Sequence, residues 1–327
     1  MEKIKIGILG TANIARKAVV PTLLDLSTHF EIVGVGGRNL QKTKEFCQSF
    51  GVSAFKSYEE LIQSPEIQAV YIPLPNALHF EWVTKALDRG LHVMCEKSLG
   101  CNLEEVQIMV NKAREKKLLL MEHFQFRFHK QIEYIQSRLH EIGEIRTIRT
   151  TFGIPPFADE NNIRYNKALG GGALLDNGAY PIKIAQILMS ESIDVEACQL
   201  NKEQFDVDIW GSLTITDSKT GTSLQAAFGF DHIYRCTLEV VGSKGRVYTD
   251  RIYTAPPSHR SNITLEKQIG YNIEKEQITL PEDDHFKNIW TYFHDMITSQ
   301  KSFEFEYIQN LSQSKLIKQA ISKSNEK

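Results

Sequence analysis

Nowhere does this chain hold an apolar run near the roughly 18 residues that a membrane-spanning helix needs, so no membrane segment is expected. Cysteine is sparse and odd in number: Cys47, Cys95, Cys101, Cys198 and Cys236, with no Cys-x-x-Cys and no zinc-type spacing. That argues against a disulfide framework and for a reducing cytoplasm. Neither sign of charge is in excess. The 38 basic and 40 acidic residues leave a formal charge of −2, too little to hold a nucleic-acid backbone or an anionic membrane by its field. The ten histidines include no His-Glu-x-x-His, and no Gly-x-Ser-x-Gly occurs, so neither a metal site nor a hydrolase nucleophile is read here.

What is present is the mix of a globular protein, 42% hydrophobic and 24% charged over 327 residues, a length that suits two domains of about 150 each. The opening residues alternate charged and β-branched types and read as a strand ending at Leu9 rather than as a signal peptide. Up to residue 122, strand-like runs (31–36, 69–74, 91–95 and 118–121) alternate with helical stretches near 40–50, 77–89 and 103–116. Nearly continuous apolar strands separated by helices predict parallel βαβ units covered on both faces. We therefore read residues 1–122 as a doubly wound Rossmann dinucleotide-binding domain. Residues 123–327 read as a second α/β domain for substrate binding and oligomerisation. There, strands from 195 to 250 follow one another without helices and can form an antiparallel or mixed sheet; an open, mostly antiparallel sheet is expected, and its exposed apolar face is the expected association surface.

Three places carry chemistry. Gly10-Thr11-Ala12-Asn13-Ile14-Ala15 follows the first strand and fits a relaxed Gly-x-Ala-x-x-Ala form of the turn that sets backbone N–H groups against a pyrophosphate. The second strand ends in Gly36-Gly37-Arg38, where an NAD-selecting fold puts a carboxylate on the ribose hydroxyls. With no carboxylate there, Arg38, helped by Lys42, is free to clamp a 2′-phosphate, so NADP(H) is preferred and NAD(H) is left possible.

The second place lies at later strand ends. Pro73-Leu74-Pro75-Asn76 and His79 follow the third apolar strand, where ligands of open α/β sheets sit; Asn76 as a plain helix cap is the alternative. Beside Glu96, a cofactor-site candidate, Lys97 closes the next strand. Its ammonium is suited to donate to a substrate oxygen, and a surface salt bridge is the alternative.

The third place is Gly170-Gly171-Gly172 and the helix after it, with Asp176 and Tyr180 spaced i, i+4 on one face. The glycines are read as letting a ligand approach the backbone. The carboxylate, phenol and ammonium make a proton-transfer and hydroxyl-orienting set.

In this order the motifs resemble the glucose–fructose oxidoreductase/inositol dehydrogenase (Gfo/Idh/MocA) family over almost the whole chain. The resemblance implies a Rossmann domain followed by an open-sheet α/β domain that often forms dimers. It implies Lys97 as acid/base residue, with Asp176 and Tyr180 as its partners. Tyr180, where other members carry His, and Asn162-Ile163-Arg164 resemble a subgroup acting on sugars, sugar nucleotides and cyclic diols. Arg164 is thereby a candidate for the cofactor–substrate junction. The family's Glu-Lys-Pro is here Glu-Lys-Ser, with Ser98. The expected function is hydride transfer between NADP(H) and a secondary alcohol or ketone of a carbohydrate-like molecule, in a homodimer or a dimer of dimers. A non-catalytic NADP-binding regulator is the alternative. Arg235, Arg246, Arg251 and Arg260 are candidates for a substrate diphosphate, and Cys95 is read as a buried, inert thiol.

Overall fold

The computed structural model describes residues 3–299 and 301–326. In the first sheet the strands are β1 (Ile4–Leu9), β2 (Phe30–Gly36), β3 (Ala54–Phe55), β4 (Ala69–Ile72), β5 (His92–Cys95) and β6 (Leu120–Glu122). They are parallel and run in the order β3-β2-β1-β4-β5-β6. β4 is buried along its whole length and β1 at all but one position, which is why these segments read as unbroken apolar runs. The order reverses between β1 and β4, which opens the ligand crevice of this topology at their carboxyl ends.

Helices α1 (Val20–Asp25), α2 (Leu40–Gln48), α3 (Tyr58–Gln63), α4 (His79–Asp88) and α5 (Leu103–Lys116) make the crossovers. Asn39, Ser57 and Asn102 cap α2, α3 and α5 through their side chains. The short β3 and α3 escape the sequence reading, since two and six residues are too few to show a clear periodicity.

The second sheet contains β7 (Ile145–Gly153), β8 (Ile193–Asn201), β9 (Trp210–Asp217), β10 (Ser223–Gly229), β11 (Arg235–Gly242), β12 (Gly245–Thr249), β13 (Asn262–Ile269) and β14 (Asn272–Thr279). Its order is β14-β13-β12-β11-β7-β10-β9-β8, antiparallel except where β10 lies parallel to β7. Helix α6 (Lys130–Arg138) precedes its first strand in sequence, α7 (Ala179–Leu188) lies between β7 and β8, and α8 (His285–Thr298) and α9 (Glu304–Asn325) follow the last strand. Strand alternation buries Ile148, Phe152, Leu213, Ile215, Phe228, Leu238 and Val240. Arg149, Thr151, Ser212, Thr214, Gln225 and Glu239 line a shallow depression of about 730 Å³ on the open face. That face was expected to be apolar; it is rich in hydroxyls and charge because β7 brings Arg149 and Thr151 to it, β9 Ser212 and Thr214, β10 Gln225 and β11 Glu239.

Two compact units result, Met1–Gln125 with Phe286–Ser314, and Phe126–His285 with Lys315–Lys327. They differ from a single boundary at residue 122 chiefly in the return of 286–314 to the first unit. The reason lies in its side chains. Trp290 is wholly buried and meets the rings of Phe30 and Tyr71 edge-on at 5.6 and 5.5 Å. The Tyr307 hydroxyl and Asn310 amide donate to the carbonyls of Leu118 and Leu120 at 2.7 and 3.0 Å, covering the edge strand β6.

Candidate active site

In the first unit, β1 ends at Leu9 and the chain turns at Gly10, whose φ is +105°, a conformation that favours glycine. A Cβ there would meet Leu74 Cδ2 at 3.0 Å, so the loop after β4 packs directly on the turn. Thr11, Ala12 and Ile14 are half-buried and Asn13 is exposed. The helix that starts at Asn13 passes through a π-helical segment, Ala15–Val19, before α1, with Arg16 and Lys17 and no acidic residue in that segment. The open N–H groups and absent carboxylates fit a diphosphate.

At the end of β2, Gly37 is buried, and a Cβ on it would stand 2.0 Å from Thr43 Oγ1. The position that would carry a selecting carboxylate is therefore filled by α2. Arg38 and Lys42 are exposed beside it. Burial raises the pKa of the Tyr58 phenol, and the Arg38 guanidinium next to it opposes that shift. The residues present thus fit a dinucleotide with a 2′-phosphate.

After β4, Pro73 and Leu74 are buried and Asn76 opens a short 3-10 turn before α4. His79 is wholly buried, and its Nδ1 and Nε2 lie 2.8 and 2.7 Å from the carbonyls of Ser98 and Leu74. Burial lowers its pKa, against the pull of those carbonyls. This corrects the expectation of a cofactor contact: His79 stands behind the loop and ties it to the segment after Lys97.

That segment is held from several sides. Glu96 N–H donates to Ile72 O at 3.1 Å. The Glu96 carboxylate accepts from the Tyr71 hydroxyl at 2.6 Å and lies 2.8 Å from His123 Nδ1. Burial would raise the Glu96 pKa, but His123 and Tyr71 outweigh burial and leave it lowered. The Leu99 N–H donates to Glu122 Oε1 at 2.8 Å. The Lys97–Ser98 peptide bond is cis. Lys97 itself, half-buried, follows β5, two strands from Gly10, or roughly 10 Å at the usual strand spacing. Cys95 is buried with its pKa raised well above the usual thiol range by burial, which keeps it a thiol.

The second unit carries Arg164, Asp176 and Tyr180. Gly171 and Gly172 serve the chain's own packing rather than ligand approach, a correction to the sequence reading. A Cβ on Gly171 would lie 2.4 Å from Arg164 O, and one on Gly172 2.6 Å from Asp208 Oδ1. Asp176 lies in the π-helical turn Leu174–Gly178 that runs into α7, a wide turn of a kind frequent at functional sites. Its Oδ2 accepts from Arg164 Nε at 2.5 Å, and the Arg164 guanidinium also lies over the Phe157 ring at 4.9 Å. Tyr180 is buried among the rings of Phe126, Phe152 and Tyr253, with centroids 4.9–5.5 Å away. Of the arginines considered for a diphosphate, Arg246 is bound to Glu239 and Glu266, and Arg251 lies over Tyr234. Sequence reading missed Tyr71, Glu122, His123 and Asp208. Only Asp208 had a signal, the glycine at a helix start where a capping side chain is usual. Among the described residues no group of three or more potential metal ligands stands together, and no helix is long and apolar enough to cross a membrane.

A glycine turn at the switch point of a doubly wound sheet, with two exposed basic residues at the end of the neighbouring strand and a strand-end lysine, fits a dinucleotide-binding protein. Its family is shown by comparison. Residues 4–124 match the model of the oxidoreductase family with an NAD-binding Rossmann fold, and residues 135–248 match the GFO/IDH/MocA C-terminal domain. The chain belongs to the Gfo/Idh/MocA family of oxidoreductases. It is 36% identical over 293 residues to a dTDP-3,4-didehydro-2,6-dideoxy-alpha-D-glucose 3-reductase of Saccharopolyspora spinosa, covering 89% of this chain and 86% of that one. A D-xylose 1-dehydrogenase (NADP(+)) of Haloferax volcanii is 31% identical over 79% of each chain. The crystal structure of a 3-ketoreductase from Actinomadura kijaniata with NADP and TDP-benzene superposes with a TM-score of 0.93 at 32% identity, covering 98% of both chains.

Proposed function

We propose that this protein is an NADP(H)-dependent reductase of a ketone on a nucleotide-linked deoxy sugar. The observation that carries the oxidoreductase reading is the braced Glu96–Lys97 loop at the carboxyl edge of the sheet, two strands from the glycine turn. The substrate class is supported by the likeness to dTDP-sugar 3-reductases over about nine-tenths of the chain. The nicotinamide, when bound, supplies the hydride.

The chain's own residues do the rest. The backbone from Gly10 through Thr11, Ala12, Asn13 and Ile14 receives the diphosphate, and Arg38 with Lys42 takes the 2′-phosphate. Pro73, Leu74 and Asn76 wall the ribose, with His79 and Glu96 bracing the wall and the lysine loop. Lys97 delivers the proton to the oxygen of the reduced carbonyl, and the Tyr180 phenol donates to that same oxygen. Asp176, with Arg164 as its counter-ion, orients a neighbouring substrate hydroxyl. Free cysteines support a reducing compartment, the cytoplasm. Association as a homodimer through the open face of the second sheet completes the reading.

The test is a turnover panel, read by nicotinamide absorbance, of dTDP-linked keto sugars with NADPH beside free sugars and cyclic diols with NADP+. Turnover fastest with a dTDP-linked ketone is expected. Turnover of D-xylose or a cyclic diol alone contradicts the substrate class. Tight NADPH binding with no turnover on any member contradicts catalysis and favours a regulator.

A further inference from the structure

The helical run that carries Asp176 and Tyr180 begins without a cap of its own. The first N–H groups of any helix lack intrahelical acceptors, and the residue before this one is Gly172, with φ +116° and no side chain to offer. The acceptors come instead from Asp208, in the segment joining β8 to β9. Its carbonyl accepts from Ala173 N–H at 2.8 Å, and its carboxylate accepts from Leu174 N–H at 2.6 Å across 34 residues of sequence. The close fit of Gly172 to Asp208 leaves no room for a side chain between them. Asp208 is itself fixed to the sheet through its neighbour Ile209, whose N–H donates to Asn201 O at 2.8 Å and whose carbonyl accepts from Phe230 N–H at 2.7 Å. Burial raises the Asp208 pKa, and the Leu174 N–H opposes that rise.

The same turn holds the rest of the set. Gly172 N–H donates to Arg164 O at 2.9 Å, and Asp176 N–H closes the first helical turn on Gly172 O at 3.1 Å. Asp176 then grips the Arg164 side chain. The backbone that Asp208 caps is therefore the backbone from which both members of the Asp176–Arg164 pair, and Tyr180 one turn later, are presented.

We propose that Asp208 is a positioning residue, which caps this helix from the sheet and thereby sets the placement of Asp176, Arg164 and Tyr180 for catalysis. The inference rests on the active-site reading given above. Its test compares Asp208→Ala and Asp208→Asn with Asp176→Asn and Tyr180→Phe, each measured for kcat, KM and NADPH affinity on the reduced ketone. Asp208→Ala is expected to lower kcat by about tenfold or more, because positioned groups lose rate steeply when misplaced, with NADPH affinity unchanged. Asp208→Asn keeps an acceptor oxygen and is expected to recover most of kcat. That rescue, and the confinement of the loss to kcat, separate positioning from general destabilisation. Normal kcat in Asp208→Ala beside impaired Asp176→Asn and Tyr180→Phe overturns this inference alone. So does an Asp208→Asn as impaired as Asp208→Ala, or an equal loss of NADPH affinity. Silent Asp176→Asn and Tyr180→Phe overturn the active-site reading and this inference with it.

Discussion

In the proposed site Arg38 and Gly37 favour NADP(H) by opposite means, one by supplying charge and the other by having no side chain. Thr43 Oγ1 stands where a Gly37 Cβ would project, so a selecting carboxylate cannot be added unless Thr43 turns aside, breaking its hydrogen bond to Asn39 O, or α2 moves. A charged hydrogen bond contributes about 1.5–3 kcal/mol, or about ten- to a hundredfold in affinity. Arg38→Ala is therefore expected to weaken NADPH by about that factor and to leave NADH nearly unchanged, as titrated by fluorescence. Equal weakening of both cofactors would place Arg38 elsewhere than on the 2′-phosphate. At this scale the sequence reading rests on local signals, such as a strand-end glycine pair followed by arginine. The Tyr71–Glu96–His123 set was not legible there, since its members lie on three separate segments that only the sheet brings together. The misreading of Gly171 and Gly172 has the same origin: glycine shows that something comes close, and not what it is.

At the scale of elements, amphipathic or fully buried segments declared themselves, and α5 matches the expected span of 103–116. The hairpin of β13 and β14 did not. β14 is exposed at nearly every position and carries Glu274, Lys275 and Glu276, so it lacks the alternation that marks a half-buried strand. Its charges suit an edge that must resist pairing with other chains. Turns in the second unit are fixed by buried polar groups, above all Asp217. It is 1% exposed and accepts from the N–H groups of Ser190, Lys219 and Thr220 and from the Ser190 hydroxyl. Burial raises its pKa, but these donors outweigh burial and bring it to about 2. A depressed carboxylate pKa stabilises the fold above the unfolded value near 4, and that contribution is lost as pH falls towards about 2. Asp217→Asn is expected to cost about 2 kcal/mol at neutral pH. Urea midpoints across pH check this. The gap between variant and wild type should close on acidification through that window, and a gap that persists at the acid end contradicts the assignment.

For the whole molecule, division into two units was visible in the change from alternating to consecutive strands near residue 122. The return of 286–314 was not, because an amphipathic helix does not state which core it joins; Trp290 and its aromatic neighbours do. The open face of the second sheet offers hydroxyls, small residues and the Arg149–Glu239 and Arg246–Glu239 pairs for association. A homodimer is expected by light scattering at micromolar concentration. Thr214→Arg together with Gln225→Arg should dissociate it through like charge, whereas a wild-type monomer contradicts this role for the face.

The central claim is that Lys97, on its braced loop, supplies the proton in an NADPH-dependent ketone reduction. The direct measurement is the single-turnover rate of Lys97→Ala against wild type on a dTDP-linked keto sugar, with NADPH affinity titrated in parallel. The account predicts a rate lower by about 10²- to 10⁴-fold, the usual loss on removing a positioned acid, and NADPH affinity nearly intact because the phosphates are held at Gly10 and Arg38. A variant that reduces the sugar at the wild-type rate contradicts it.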